Sequence, residues 1–463
     1  MSLVLGANRA PVRPTPDGWA PRLGGLASAL LPVLERQGGA WVSMRPPDAD
    51  TPLRQSYPDQ NPAFEIRRVP LDAAEYEAFY EGMSNRVLWP ISHYLIELVE
   101  PDRTFRDAYR AVNRRFAHAA LDIARDASSR PTFWVQDYHM MLVPEMIRQG
   151  MRDARIGVFW HVPWPASEVF RILPSARQLL RGLCGADLVG FHTEGYAENF
   201  RESARDLLGA TIEGGAVVLD GHRCRAESHP IGIDVDRFEG LARDPATAEA
   251  ADAFRADLGV EQIVLGVDRL DYTKGLLLRM EAFERFLERY PERRGQVSLV
   301  QIATPSRTGV PAYAQLKRDM DEASGRINSR FGRGAWAPVR YRYQSFGQDE
   351  LASLYRAADV AFVTPLRDGT NLVAHEYATV SAAGGGRPGA LVLSELTGAA
   401  DYLDGGALAY PYDADGLAQC PASALDLDDD RRRTRRDRLA TAVRQLDVHG
   451  WAERFLASLD DAA

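Results

Sequence analysis

Short apolar runs alternate with amphipathic helical patterns along the whole chain, which is typical of βα units built around parallel sheets. The clearest strand signal is residues 360–364, an apolar run followed by the polar turn 365–369 and a helix that begins at Asn371. A second apolar run, residues 263–271, is predicted as another buried strand and leads through residues 272–275 into a helix at residues 276–290. The pattern therefore predicts an α/β fold.

Two series of strands follow each other along the chain. The first series is predicted at residues 3–7, 40–44, 132–136, 156–161, 188–191 and 217–219, with helices at 25–36, 105–125, 142–149 and 196–208. Residues 226–238 are interpreted as a further strand, and a domain boundary is placed after residue 238. The second series is predicted at residues 263–267, 297–302, 339–343, 360–364 and 390–394, and residues 431–459 are predicted to be helical.

A strand that ends in a glycine turn and opens a helix points free backbone N–H groups at whatever lies above the sheet, and such a helix end favours an anion. Arg269 and Lys274 lie at the carboxyl end of the strand of residues 263–271, at the edge where open α/β sheets bind ligands. These features favour a phosphate or diphosphate ligand. An ordinary strand–helix joint capped by Asp368, with solvated loop cations, is the alternative from these residues alone.

Composition narrows the function classes. The 463 residues are enough for two domains, and 45% hydrophobic and 26% charged residues describe a soluble globular protein. A net charge of −9 argues against a nucleic-acid binder. Three widely spaced cysteines predict neither a metal cluster nor disulfides. We find no leader or membrane-spanning pattern and expect a cytoplasmic protein with no cofactor, no bound metal and no membrane partner.

Eight motifs, taken together and in order, resemble the trehalose-6-phosphate synthase family, which comprises retaining glycosyltransferases of family 20. They are Asn8-Arg9 with Gly24-Gly25-Leu26, SNRVLWP (84–90), QDYHMMLVP (136–144), FWHVPWP (159–165), DLVGFHT (187–193), HPIGID (229–234), DRLDYTKG (268–275) and TPLRDGTNLVAHEY (364–377). The resemblance covers nearly the whole chain. It implies a GT-B fold, with two Rossmann-like domains facing across a central cleft.

The domain roles implied are an acceptor-binding domain at 1–238, a donor domain at 239–440 and a C-terminal helix at 441–463 that packs back on the first domain. The resemblance implies catalytic roles for His161, Asp137, Arg269, Lys274 and Asp368. Donor contacts are assigned to Gly24, Gly25, Arg269, Lys274, Phe346, Asp368, Gly369, Thr370, Asn371, Leu372, Val373 and Glu376. Acceptor contacts are assigned to Arg9, Tyr80, Trp89, Asp137 and Arg307.

The implied reaction transfers glucose from UDP-, GDP- or ADP-glucose to glucose 6-phosphate without a metal ion. The oligomeric state is open, and a homo-oligomer is the candidate assembly. A departing diphosphate needs stabilisation as charge develops on it, which cations and backbone amides supply in a closed site. Asp137 follows a strand and is also a candidate nucleophile from the sequence alone; the resemblance assigns it to acceptor orientation instead.

Several alternatives remain open from the sequence. They are a pseudo-glycosyltransferase acting on cyclitols, a synthase with another phosphorylated acceptor, and a non-catalytic regulatory subunit. A dinucleotide-dependent oxidoreductase is disfavoured because Gly6-Ala7-Asn8-Arg9 lacks the glycine fingerprint. Thr370 and His375 depart from the commonest family pattern, which leaves the choice of donor open.

Overall fold

The structure is a computed structural model that describes residues 3–15, 18–21, 25–58, 63–125, 130–307, 309–385 and 388–462. Two compact units divide the chain. One comprises Met1–Ile231 together with His449–Ala463, and the other comprises Gly232–Val448. The predicted boundary after residue 238 falls inside a helix, Val235–Arg243.

A ten-stranded sheet forms the centre of the first unit, in the order β10-β11-β12-β9-β8-β7-β1-β4-β6-β5. Its strands are β1 (Leu3–Gly6), β4 (Gly39–Arg45), β5 (Arg54–Tyr57), β6 (Phe64–Pro70), β7 (Thr132–Gln136), β8 (Arg155–Phe159), β9 (Leu188–Phe191), β10 (Thr211–Glu213), β11 (Ala216–Leu219) and β12 (His222–Ser228). The seven strands from β12 to β6 pair in parallel, and the outer strands pair antiparallel. A separate hairpin joins β2 (Val12–Thr15) and β3 (Gly18–Pro21).

Helices cover this sheet, and one segment departs from α-helical geometry. The α-helices are α1 (Gly25–Gln37), α2 (Ala73–Tyr76), α3 (Trp89–Ser92), α4 (Arg103–Arg125), α5 (Val143–Gly150), α6 (Ser167–Phe170), α7 (Ala176–Leu183) and α8 (Glu194–Leu208). Residues Glu77–Leu88 form a π-helix, a rare geometry that is found frequently at functional sites. Ser84 Oγ donates to the Phe79 carbonyl at 2.8 Å and Asn85 Nδ2 donates to the Tyr80 carbonyl at 2.8 Å, which supports the wider turn.

The second unit is built on a six-stranded parallel sheet in the order β15-β14-β13-β16-β17-β18. The strands are β13 (Gln262–Arg269), β14 (Val297–Thr304), β15 (Val339–Arg342), β16 (Val360–Val363), β17 (Ala390–Ser394) and β18 (Ala407–Ala409). The helices are α9 (Val235–Arg243), α10 (Pro245–Leu258), α11 (Leu276–Arg289), α12 (Pro311–Phe331), α13 (Gln348–Ala357), α14 (Leu372–Ala383), α15 (Ala414–Leu425) and α16 (Asp429–Gln445). Two apolar cores form, one around Leu265 and Tyr355 and the other around Phe283 and Val297.

The last helix, α17 (Val448–Ala462), begins at the boundary and belongs to the first unit from His449 onward. Its Trp451 and Phe455 pack on Trp134 of β7, with ring centroids 5.3 and 4.8 Å apart. Aromatic side chains bury much apolar area, so this contact ties the end of the chain to the centre of the first sheet.

The prediction of a strand at residues 226–238 is wrong beyond residue 228. β12 ends at Ser228, and α9 begins at Val235 behind the cap Asp234, whose carboxylate accepts from the Arg237 amide at 3.0 Å. An N-cap aspartate of this kind satisfies a helix-end donor and so favours a helix over an extended strand. Within the described residues, no helix has both the length and the apolar character needed to cross a membrane.

Candidate active site

Two loops at the carboxyl edge of the second sheet lie against each other. They follow the neighbouring parallel strands β13 and β16, and the Leu366 amide donates to the Thr273 carbonyl at 2.8 Å. Gly275 makes this approach possible, because a Cβ at that position would lie 2.4 Å from the Thr364 carbonyl oxygen. The consequence is an ion pair between residues 94 positions apart, with Lys274 Nζ 2.5 Å from Asp368 Oδ2.

Asp368 also shapes the start of α14. Its carboxylate accepts from the Gly369 amide at 3.0 Å and from Asn371 Nδ2 at 3.1 Å. Asn371 has φ 87° and caps the helix by accepting from the Ala374 amide at 3.1 Å. The Gly369 amide is thus bound within the loop, whereas Leu372 lies in the first helical turn, where amides have no helical carbonyl partner. Thr370 joins the next loop instead, since its carbonyl accepts from the Ala399 amide at 3.0 Å.

A buried arginine supports this loop pair from below. Arg279 is fully buried and forms an ion pair with Asp268. It also donates from Nε to Thr364 Oγ1 at 3.0 Å and from Nη2 to the Lys274 carbonyl at 3.3 Å. One guanidinium therefore fixes the ends of β13 and β16 and the backbone of Lys274.

Arg269 and Arg307 meet at a single buried carboxylate, Asp271. Arg307 Nη1 lies 3.0 Å from Asp271 Oδ2, and Arg269 Nη2 lies 3.9 Å from the same oxygen. Burial alone would raise the pKa of Asp271, but the charges of Arg307, Arg269 and Lys274 outweigh it and bring the pKa to about 2. The carboxylate is therefore ionised at neutral pH.

Glu376 and Phe346 occupy the flanks of the same edge. Glu376 accepts from the Tyr355 hydroxyl at 2.7 Å, and burial raises the pKa of Glu376 to about 7. Phe346 follows β15 and packs on the core beside a cavity of about 450 Å³, which Arg342 and Leu354 also line. The strands lie in the spatial order β15, β14, β13, β16. Phe346 follows β15 and Arg307 follows β14. The segment from Arg269 to Lys274 ends β13 and forms its loop, and Asp368 follows β16.

In the first unit, Asp137 follows β7 with a strained backbone at φ 72° and ψ 174°. Such angles are costly for a residue with a side chain and occur mainly at functional sites. The Asp137 amide donates to the Phe159 carbonyl at 2.7 Å, and its Oδ1 accepts from the His161 amide at 3.3 Å. Two adjacent strands, β7 and β8, therefore hold this carboxylate at their carboxyl ends.

His161 is held by its neighbours on both sides. Its Nε2 lies 2.9 Å from Gln136 Oε1, and its carbonyl lies 3.2 Å from His192 Nε2. Burial, reinforced by repulsion from His192 and His139, lowers the pKa of His161 well below its usual value. The imidazole is therefore neutral at physiological pH.

The predicted acceptor residues of the first unit lie in one aromatic cluster. Arg9 Nη2 donates to the Tyr80 hydroxyl at 3.1 Å, and Tyr80 stacks on His139 with centroids 5.9 Å apart. Trp89 is only 4% exposed and packs on Tyr138 at 5.8 Å, so its side chain forms part of the wall behind the cluster.

In the second unit, the predicted residues lie along or beside the carboxyl edge of its sheet. In the first unit, Asp137 and His161 follow β7 and β8, whereas Tyr80 and Trp89 come from helices. Gly24 lies outside the described residues, and Gly25 is the first residue of α1. The sequence did not single out Gln136, Asp271 or Arg279. For Gln136 and Asp271 the only available signal was their position in the quoted motifs. Gln136 immediately precedes Asp137, and Asp271 lies three residues before Lys274. Among the described residues, no three His, Cys, Asp or Glu side chains are grouped so as to hold a metal ion.

The sequence of this chain matches a family model and named relatives over nearly its whole length. The model of glycosyltransferase family 20 matches residues 9–461. A trehalose-6-phosphate synthase of Mycobacterium avium is 41% identical over 99% of this chain and 95% of its own length. A bifunctional trehalose-6-phosphate synthase/phosphatase of Thermoproteus tenax is 38% identical, and the chain spans 64% of its length.

The fold matches equally well. The crystal structure of an α,α-trehalose-phosphate synthase (UDP-forming) from Burkholderia xenovorans, in complex with glucose 6-phosphate, superposes with a TM-score of 0.90. It is 33% identical and aligns over 99% of this chain and 100% of that one. The predicted α/β fold of the GT-B type is confirmed. The chain is a glycosyltransferase and belongs to glycosyltransferase family 20.

Proposed function

We propose that this glycosyltransferase is an α,α-trehalose-6-phosphate synthase that transfers glucose from UDP-glucose to glucose 6-phosphate. The observation that carries the proposal is the ion pair of Lys274 with Asp368 at the start of α14, together with Arg269 at the end of β13. This arrangement provides cations for a diphosphate and a carboxylate for sugar hydroxyls at one sheet edge. The UDP-forming Burkholderia relative and its complex with glucose 6-phosphate support the choice of substrates.

The donor is assigned to the second unit, predicted as the donor domain at 239–440. Arg269, Lys274 and the first-turn amides of α14 hold the diphosphate, because a helix N-terminus and nearby cations favour an anion. Asp368 accepts hydrogen bonds from the sugar, and Glu376 accepts from the ribose. Phe346 borders the base. The loop contacts hold these groups in place, and stabilisation of a developing charge requires groups whose positions are fixed.

The acceptor is assigned to Arg9, Tyr80, Trp89 and Asp137 of the domain predicted at 1–238, and to Arg307. Arg9 and Arg307 suit a phosphate, since a guanidinium matches phosphate oxygens in a planar fork. Trp89 acts as a wall of the pocket, in keeping with its burial. His161 contacts the transferred sugar as a neutral imidazole.

Retention of configuration is proposed to follow from attack on the face that the diphosphate leaves. The bond from the anomeric carbon to the diphosphate oxygen breaks, the acceptor hydroxyl bonds to that carbon, and its proton passes to the leaving phosphate. Asp137 orients the acceptor in this scheme, since its Oδ1 accepts from the His161 amide. A covalent sugar adduct on Asp137, detected by mass spectrometry, would replace this scheme with a nucleophilic one.

The test is a panel of UDP-, GDP- and ADP-glucose with glucose 6-phosphate, run with and without a chelator. We expect nucleotide release and a product whose two anomeric carbons, joined through one oxygen, are both α-configured by NMR, unchanged by the chelator. Glycerol 3-phosphate and an aminocyclitol phosphate serve as competing acceptors. Nucleotide release only with glycerol 3-phosphate or the aminocyclitol phosphate as acceptor would contradict the proposal. Full dependence of the reaction on added metal would also contradict it.

A further inference from the structure

Asp271 is a buried carboxylate to which the proposed reaction gives no task. It follows β13, between Arg269 and Lys274 in the chain, and its side chain has no exposed surface. Its Oδ2 accepts from Arg307 Nη1 at 3.0 Å and from the Tyr313 hydroxyl at 3.1 Å, with Arg269 Nη2 at 3.9 Å. A single oxygen is therefore shared by two arginines.

The orientation of this carboxylate is fixed from its other side. Oδ1 accepts from the Thr273 amide at 3.1 Å and from Thr273 Oγ1 at 3.0 Å. A buried charge is costly unless it is paired and hydrogen bonded, and both oxygens of Asp271 meet that condition. The arrangement persists because the surrounding cations keep the group ionised.

Arg307 is held in an unfavourable backbone conformation by the same contact. Its φ is 45°, a left-handed value that non-glycine residues adopt rarely. Its guanidinium also lies over the Tyr313 ring, 5.6 Å from the centroid. Strain of this kind persists only where the surrounding structure determines the conformation, and here the Asp271 carboxylate and Tyr313 provide that restraint.

We infer that Asp271 is a positioning residue that holds Arg269, assigned to the donor diphosphate, and Arg307, assigned to the acceptor phosphate, in fixed positions on one shared buried anion. The inference rests on the proposed function for these two assignments. Two arginines and one carboxylate leave a net positive charge, so the cluster attracts phosphates while its geometry stays fixed. Removal of the anion increases the positive charge, so phosphate binding is retained. It also frees the two guanidinium groups to move, so transfer becomes slower.

The test compares Asp271→Asn with Asp359→Asn. Asp359 is a matched control, since its Oδ2 lies 3.0 Å from Arg255 Nη1 and accepts from the Ile263 amide at 2.8 Å, at the opposite end of β13. We expect Asp271→Asn to lower kcat on the order of 100-fold, the loss typical of a small misplacement of binding groups, with little rise in either KM. Asp359→Asn should lose stability and keep kcat.

Two further measurements keep the result interpretable. Thr273→Val removes one of the hydrogen bonds that orient the carboxylate and should lower kcat in the same direction by a smaller factor. Crystal structures of Asp271→Asn should show both guanidinium groups displaced. Wild-type kcat in Asp271→Asn, or a loss of kcat with both guanidiniums in place, would overturn the inference. If the wild type fails to glucosylate glucose 6-phosphate, that result counts against the proposed function alone. The role of Asp271 is then still decided by the positions of the two guanidinium groups in the crystal structure of Asp271→Asn.

Discussion

Gln136 Oε1 lies 2.9 Å from His161 Nε2, at the carboxyl ends of the adjacent strands β7 and β8. Gln136 has no exposed surface. With the amide oxygen as acceptor, the ring proton is on Nε2, so Nδ1 carries the lone pair. A neutral ring with a defined tautomer is suited to accept a hydrogen bond from a sugar hydroxyl.

A carboxylate at position 136 should change the charge of this ring. In Gln136→Glu we expect the pKa of His161 to rise, because an opposite charge at this distance favours the imidazolium. Transfer should then be slower at neutral pH and recover as the pH rises and the ring loses its added proton.

NMR titration of the imidazole and a pH–rate profile measure the two effects. Gln315→Glu, at an exposed position of α12, is the control and should leave both unchanged. A pH–rate profile in Gln136→Glu that superposes on the wild-type profile would refute the assigned environment of His161.

Lys274→Ala should remove most of the transfer rate while the protein still folds. Loss of one charged contact to the leaving group is expected to cost on the order of 2–4 kcal/mol in transition-state stabilisation, by analogy with an oxyanion-hole donor. Arg269→Ala should act in the same direction. Steady-state kinetics and a thermal melt are the measurements.

Lys317→Ala provides the comparison for this charge. Lys317 is paired with Asp321 one helical turn away on α12, and it should contribute little to the rate. Equal turnover in Lys274→Ala and Lys317→Ala would end the assignment of Lys274.

Glu376→Gln should stabilise the fold at high pH and weaken nucleotide binding. The folded pKa of about 7 lies above the ordinary carboxyl value near 4.3, so the stability linked to this proton is present at low pH and lost as the pH rises from about 4.3 to 7. The glutamine avoids that loss, which is on the order of 3–4 kcal/mol above pH 7.

Thermal unfolding at pH 5 and pH 8 measures the gain, which should appear mainly at pH 8. Calorimetry with UDP should show weaker binding in Glu376→Gln, and wild-type affinity should fall as the pH drops below 7. A variant as unstable as the wild type at pH 8 would contradict the burial of this charge.

Gly275→Ala should separate the two loops that join Lys274 to Asp368. Its φ is 64°, and the added Cβ would lie 2.4 Å from the Thr364 carbonyl oxygen. We expect a loss of stability well above the roughly 1–2 kcal/mol that a left-handed conformation costs alanine, together with slower transfer.

Gly209→Ala separates the two causes. Gly209 has a similar φ of 70°, but no atom lies within 4 Å of its added Cβ. It should show the conformational cost alone and wild-type turnover. Similar losses of stability in the two variants would argue against the close approach at Gly275.

Much of the fold follows from local pattern. The predicted strands at residues 132–136, 188–191 and 390–394 coincide with β7, β9 and β17. These strands are central and buried on both faces, so their sequences are continuous apolar runs that indicate a strand without further context. The loops after β13 and β16 also carry a local signal, since their glycine and charged residues predict an anion site.

Other strands depend on their partners. The sequence did not predict β5 (Arg54–Tyr57) or β10 (Thr211–Glu213), because both are short and polar. Each pairs with an adjacent antiparallel strand, and the hydrogen bonds to that neighbour stabilise it. Such strands have no strong local signal.

The sequence by itself determined the family motifs, the order of strands and helices, and the residue types that follow each strand, because these depend on neighbours close in the chain. The tertiary structure alone decided that Lys274 meets Asp368, that Gln136 holds His161 and that Asp271 joins Arg269 to Arg307. Parallel strands bring loops together whose residues lie far apart in sequence, and only the packed sheet sets the distances and the burial on which their charges depend.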